Sequence, residues 1–123
     1  MDELCIVQIS DTHVRMPDRL LKINFDSNYA LKRAIEIINS EDYTIDCLLI
    51  TGDLVEDGIE GEYAHLKQIL NRLNRKIPVL FCLGNHDDID VFSKVFLDRF
   101  PQILNKSSTV EINCFETDSG LNY

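Results

Sequence analysis

Three apolar runs, Leu4–Ile9, Cys47–Ile50 and Pro78–Leu83, each lead directly into a polar cluster. The clusters are Asp11-Thr12-His13, Gly52-Asp53 and Gly84-Asn85-His86-Asp87. The runs have strand length, and the segments between them carry helical periodicity. Alternating strand and helix points to βαβ units and a parallel sheet. In such a sheet every strand ends at the same edge, so the three clusters are expected to meet there. Ligands in open α/β sheets bind at that edge. The expected fold class is therefore α/β, a mostly parallel sheet with flanking helices.

The intervening elements support this order. A loop from Ser10 to Asn24 contains Pro17 and precedes a helix that either Asp26 or Ser27 could cap. Leu31, Ala34, Ile35 and Ile38 share one face of that helix. The second strand is short and wholly apolar, as expected when both sides are covered. A second helix places Tyr63, Leu66, Ile69, Leu70 and Leu73 inward, with Lys67, Gln68, Asn71, Arg72 and Arg75 outward. Its late arginines suit the negative end of the helix dipole. A shorter helix is predicted over Ile89–Arg99, with Pro101 as its stop signal. Thr109–Phe115 is expected to form a fourth strand at an edge or antiparallel.

A length of 123 residues leaves room for one domain. The net charge of −9 argues against non-specific binding to nucleic-acid backbone. An anionic phosphate remains a possible substrate, because bound cations dominate a local field whatever the overall charge. Cys5, Cys47, Cys82 and Cys114 form no CxxC motif and read as small buried hydrophobes in a reducing compartment. The N-terminus lacks the basic and long apolar regions of a signal peptide, and no run approaches the ~20 residues of a membrane span. These features lead to the expectation of a cytoplasmic protein without membrane partners.

The clusters are rich in hard oxygen and imidazole donors suited to divalent metals. Asp11 and His13 are two residues apart, so in an extended segment their side chains point the same way. Asp53 follows a glycine that permits a tight turn, and its two oxygens could bridge two cations. Asn85 offers a neutral amide oxygen, and His86 could serve as a ligand or an acid. Asp87 could hold the His86 ring in one orientation. Glu56, Asp57, Glu60 and Glu62 read as a solvated rim able to repel anions or tune selectivity. His65, mid-helix among polar residues, reads as a surface histidine without a role.

Ile9-Ser10-Asp11-Thr12-His13, Thr51-Gly52-Asp53 and Gly84-Asn85-His86-Asp87 resemble, in order and spacing, the first three motifs of the calcineurin-like metallophosphoesterases. The stretch Thr51-Gly-Asp-Leu-Val-Glu-Asp-Gly, with Glu62-Tyr63 and Asp88, is similar to the branch containing cyclic-nucleotide phosphodiesterases and glycerophosphodiesterases. The resemblance implies a sandwich of two sheets between helices, a dinuclear metal centre and hydrolysis of a phosphodiester small molecule. It also implies that Asp11 and His13 bind one metal, Asp53 bridges both and Asn85 binds the other. His86, with Asp87 beside it, would stabilise the transition state or protonate the leaving oxygen. A hydroxide activated by two ions about 4 Å apart would attack phosphorus in line. Iron, manganese, cobalt and zinc all suit such nitrogen and oxygen ligands. A DNA-repair nuclease of another branch shares two of the motifs, but the acidic charge argues against it.

The resemblance further implies three more histidines, one after a later strand and a Gly-His-x-His pair. The sequence holds His13, His65 and His86 and none beyond them. Residues 1–123 are therefore expected to be the N-terminal portion of the domain, without its C-terminal half. A site short of ligands should bind metal weakly and lose the preorganisation that such catalysis requires, so little activity is expected of the chain alone. An uncovered sheet face would favour self-association. The alternative is an inactive fragment that serves as a metal-binding or protein-interaction module.

Overall fold

A computed structural model describes residues 3–20 and 24–97. The predicted fourth strand over Thr109–Phe115, the stop at Pro101 and Cys114 lie outside the described residues. Among the described residues the elements run in the order β1 (Ile6–Ser10), α1 (Pro17–Leu20), α2 (Ser27–Ser40), β2 (Cys47–Gly52), α3 (Glu60–Leu70), β3 (Val79–Leu83) and α4 (Ile89–Phe96). The strands form one parallel sheet in the order β1-β2-β3. Ser10 pairs with Thr51, and Gly52 pairs with Leu83, so all three strands end side by side. This is the α/β architecture expected from the alternating pattern.

The side-chain alternation of strands decides what each face does. Val7 and Ile9 of β1, Leu48 and Ile50 of β2, and Val79 and Phe81 of β3 point into one apolar cluster. Leu31, Ile35 and Ile38 of α2, Leu66 and Leu70 of α3, and Phe92 and Phe96 of α4 fill the same cluster. Phe81, Phe92 and Phe96 meet there with ring centroids 4.7–5.5 Å apart, a spacing typical of favourable aromatic packing. The opposite-phase residues Ile6, Gln8, Leu49 and Leu80 do not belong to it. Among the described residues, no helix is long and apolar enough to cross a membrane.

Asp26, rather than Ser27, caps α2: its carboxylate accepts from the Tyr29 N–H at 2.8 Å. Ser27 is free for another task. Its hydroxyl donates to the His13 carbonyl at 2.7 Å. Asn28 accepts from the Arg15 N–H at 2.9 Å and donates to the Arg15 carbonyl at 2.7 Å. Both side chains are buried. The first turn of α2 therefore fixes the backbone of residues 13–15 through side-chain bonds.

Two elements differ from the sequence expectation. The loop after β1 contains the single turn α1, opened by Pro17 at a position where its missing N–H costs nothing. Lys67, expected to face water, is only half-exposed and donates from Nζ to the Val95 carbonyl at 3.0 Å. That bond ties α3 to α4.

Candidate metal centre

Parallel pairing continues past the end of β1. Asp11 N–H donates to the Thr51 carbonyl at 2.8 Å, His13 N–H to Asp53 at 3.0 Å, and Val14 N–H to Leu54 at 2.9 Å. The segment is not extended as its spacing suggested. Asp11 has φ 53° and His13 φ 43°, both in the left-handed region. Residues other than glycine adopt it at a cost of order 1–3 kcal/mol, and such strain gathers at functional sites. The surrounding hydrogen bonds impose it here. Asp11 and His13 nonetheless reach the same place as Asp53: one ligand atom from each lies within 4.8 Å of the others.

Each carboxylate uses one oxygen to fasten the next loop. Asp11 Oδ1 accepts from the Asp53 N–H at 3.2 Å, and Asp53 Oδ1 accepts from the His86 N–H at 2.8 Å. The second oxygen of Asp53 faces two rings. Oδ2 lies 3.8 Å from His13 Nε2 and 3.9 Å from His86 Nε2. The two imidazoles meet edge to face with centroids 5.4 Å apart. Asn85 is exposed on the same turn, between Gly84 and His86.

Two glycines make this approach possible. Gly52 has φ 79°, and a Cβ there would collide with the Asp11 carboxylate. A Cβ on Gly84 would collide with Asp53 Oδ1 and lie 2.7 Å from the Asp53 nitrogen. The motif glycines thus leave room for carboxylates.

Asp87 does not hold the His86 ring. Its Oδ2 accepts from Leu54 N–H at 3.0 Å and Gly84 N–H at 2.9 Å. Its Oδ1 accepts from Val55 N–H at 3.2 Å and from the Tyr63 hydroxyl at 3.0 Å. With four donors satisfied, the carboxylate clamps the ends of β2 and β3 together. His86 Nδ1 instead donates to the Glu56 carbonyl at 2.6 Å. That bond raises the imidazole above its ordinary value, and the Asp53, Glu56 and Asp57 carboxylates add to the effect against an opposing cost of burial.

The acidic loop is only partly a solvated rim. Asp57 and Glu60 are exposed. Glu56 enters the site and pairs with Arg15, and Glu62 is 1% exposed. Glu62 Oε1 accepts from the Asp57 N–H at 2.8 Å and the Ile59 N–H at 3.4 Å. Burial foremost raises its carboxyl above the usual carboxylate value. A glutamate three residues into a helix is the half of a capping box that the sequence does show.

The donor set suits a divalent cation. Asp53 Oδ2 and the two Nε2 atoms lie too far apart for hydrogen bonds, yet face one another. Ligand atoms about 2.1 Å from a shared ion can be separated by up to about 4.2 Å, which covers the 3.8 and 3.9 Å observed. Glu56 with His13 and His86 makes a second group of three donors within 4.8 Å.

An α/β sheet that gathers carboxylates and imidazoles at its carboxyl edge defines a class of protein with a candidate divalent-cation site. The particular family is settled by comparison: the chain matches the calcineurin-like phosphoesterases over residues 5–120 and belongs to that family. It is 34% identical over 95 residues to the probable cyclic nucleotide phosphodiesterase of Fibrobacter succinogenes, covering 76% of this chain and 34% of that one. It is 30% identical over 93 residues to the probable glycerophosphodiester phosphodiesterase GpdQ of Arcobacter nitrofigilis, covering 76% and 33%. Against the 3',5'-cyclic adenosine monophosphate phosphodiesterase CpdA of Pseudomonas aeruginosa it is 30% identical over 83 residues, covering 68% and 30%. The chain spans about a third of the length of these relatives.

Proposed function

We propose that the chain is the N-terminal portion, residues 1–123, of a calcineurin-like phosphoesterase domain that hydrolyses small-molecule phosphodiesters. Cyclic nucleotides and glycerophosphodiesters are the substrate classes named for its relatives. The observation that carries this reading is the gathering of Asp11, His13 and Asp53 donor atoms within 4.8 Å of one another, with Asp53 Oδ2 facing His13 Nε2 at 3.8 Å and not hydrogen-bonded to it.

In this reading Asp11, His13, Asp53 and Asn85 would hold the divalent cations, Asp11, His13 and Asp53 offering donor atoms within 4.8 Å of one another. Bound cations supply Lewis-acid polarisation of the phosphoryl group. Asp11 and Asp53 stay put because each spends its other oxygen on a backbone N–H. His86 has Nδ1–H committed to the Glu56 carbonyl, which turns Nε2 towards the site. A proton on Nε2 then serves an anionic phosphoryl oxygen or the leaving oxygen. Asp87 acts through the strand ends it clamps, as a positioning residue. Iron, manganese, cobalt and zinc are all acceptable to these donors.

Four protein donors are few for two ions, so the chain alone is expected to hydrolyse phosphodiesters weakly. The test is hydrolysis of bis(4-nitrophenyl) phosphate with added Mn²⁺ by the chain and by Asp53→Ala. Weak turnover that requires Mn²⁺ and disappears in Asp53→Ala is expected. Turnover that survives chelation, or is unchanged in Asp53→Ala, contradicts the reading.

A further inference from the structure

Both histidines of the site lie between the same two carboxylates. On the Nε2 side stands Asp53, at 3.8 Å from His13 and 3.9 Å from His86. On the Nδ1 side stands Glu56, whose Oε2 is 3.7 Å from His13 and whose Oε1 is 3.2 Å from His86. His13 Nδ1 is buried and has no hydrogen-bond partner. Glu56 lies three residues beyond Asp53, within the stretch that resembles the phosphodiesterase branch but outside the residues that the resemblance assigns as ligands.

Two roles compete for Glu56. It could be a ligand to an ion shared with the two Nδ1 atoms. The 2.6 Å contact from His86 Nδ1 to the Glu56 carbonyl decides against that role. A carbonyl only accepts, so Nδ1 carries a proton and has no lone pair for a metal. Ligating histidines commonly donate their other ring N–H to a carboxylate, which fixes tautomer and ring orientation. We infer that Glu56 is a shared positioning residue, which keeps the proton on Nδ1 of both rings and turns both Nε2 atoms towards Asp53. This inference rests on the metal-site reading above.

The surroundings of Glu56 suit that task. Its N–H donates to the Val14 carbonyl at 3.1 Å, which pins it beside the His13 segment. Arg15 pairs with Glu56 Oε2 and anchors the carboxylate beside the two rings. Arg15 is in turn held by Ser27, which accepts from Nη1 at 3.3 Å, and by the Asn28 amide on its backbone. The first turn of α2 thus sets Arg15, Arg15 sets Glu56, and Glu56 sets the rings. For His13 the 3.7 Å separation must shorten by about 0.5–1 Å to reach hydrogen-bond length.

The two rings depend on Glu56 differently, and this makes the inference testable. His86 is held by the backbone carbonyl, which every substitution retains, whereas His13 has the carboxylate alone. Long-range ¹H–¹⁵N spectra of the metal-free chain, taken where the rings are neutral, report the tautomer of each. The expected result is Nδ1–H on both rings in the unaltered chain. Glu56→Met, which keeps the length but removes the acceptor, should move the His13 proton off Nδ1 and leave His86 unchanged. Glu56→Gln retains an acceptor and should preserve the His13 tautomer. The Mn²⁺ dissociation constant should rise by about 10–100-fold in Glu56→Met. A His13 ring that keeps Nδ1–H in Glu56→Met overturns the inference. Because the tautomers are read without metal, their expected pattern supports it even where no Mn²⁺ binds, and that absence counts against the metal-site reading alone.

Discussion

The hydroxyl of Tyr63 donates to Asp87 Oδ1 at 3.0 Å and accepts from the Asp88 N–H at 2.8 Å, joining the core of α3 to the turn that follows β3. Tyr63 is fully buried. Burial, above all, raises its phenol above the ordinary value, with the Asp87 and Asp88 charges adding to it. The raised value favours the protonated phenol, the form that donates to Asp87.

Removing this clamp should cost stability in proportion to the donors left behind. Asp87→Ala leaves the Leu54, Val55 and Gly84 N–H groups and the Tyr63 hydroxyl without their acceptor. At ~1–3 kcal/mol per buried group left unsatisfied, with partial rescue by water, a total loss of about 2–4 kcal/mol is expected. Tyr63→Phe loses only the two bonds of the hydroxyl and should cost about 1 kcal/mol. Urea midpoints at constant slope measure both. Equal stability of Asp87→Ala and the unaltered chain would show that the clamp carries no load.

Gly84→Ala should be poorly tolerated although Gly84 has an ordinary backbone conformation. The added Cβ meets Asp53 Oδ1, and the Asp53 nitrogen at 2.7 Å, neither of which can withdraw without breaking the β2–β3 edge. Forcing a methyl into such a site costs about 1–3 kcal/mol. The same displacement should weaken Mn²⁺ binding, since it pushes the carboxylate that faces both rings. Thermal melting with and without Mn²⁺ reads the two effects separately.

Glu62 should give stability a pH dependence of unusual sign for a carboxylate. Its folded-state affinity for a proton is raised, so the folded chain binds that proton more tightly than the unfolded one. The contribution is fully present below the unfolded value, near about pH 4.3, and is lost as pH rises through the folded value. Above that, the buried charge is a constant penalty, with Oε2 lacking any partner. Glu62→Gln keeps the acceptor for the Asp57 and Ile59 N–H groups and removes the charge. Its stability relative to the unaltered chain should therefore improve from acid to neutral pH. A difference between the two that does not change with pH would refute this account of Glu62.

The edge of the sheet was legible because apolar runs and polar clusters abut in the sequence, and parallel pairing leaves only one place for the clusters. Helix faces were legible for the same reason of periodicity, with Leu31, Ile35 and Ile38 buried as their spacing requires. The left-handed turn at Asp11 and His13 was not legible. No glycine marks it, and the bonds that impose it come from Thr51, Asp53 and Leu54, some forty residues away. Glu56 and Glu62 looked like surface charges because composition says nothing of which backbone N–H groups or cations will surround them. Asp87 sits in a motif beside His86, yet adjacency in sequence put its carboxylate against β2 rather than the ring.

The most direct test of the metal site is Mn²⁺ binding by calorimetry or elemental analysis, for the full chain beside Asp53→Ala and His13→Ala. At least one ion per chain is expected at saturation, lost in both variants while their circular dichroism stays that of the unaltered chain. No bound metal in the unaltered chain, or equal binding by the folded variants, would contradict it.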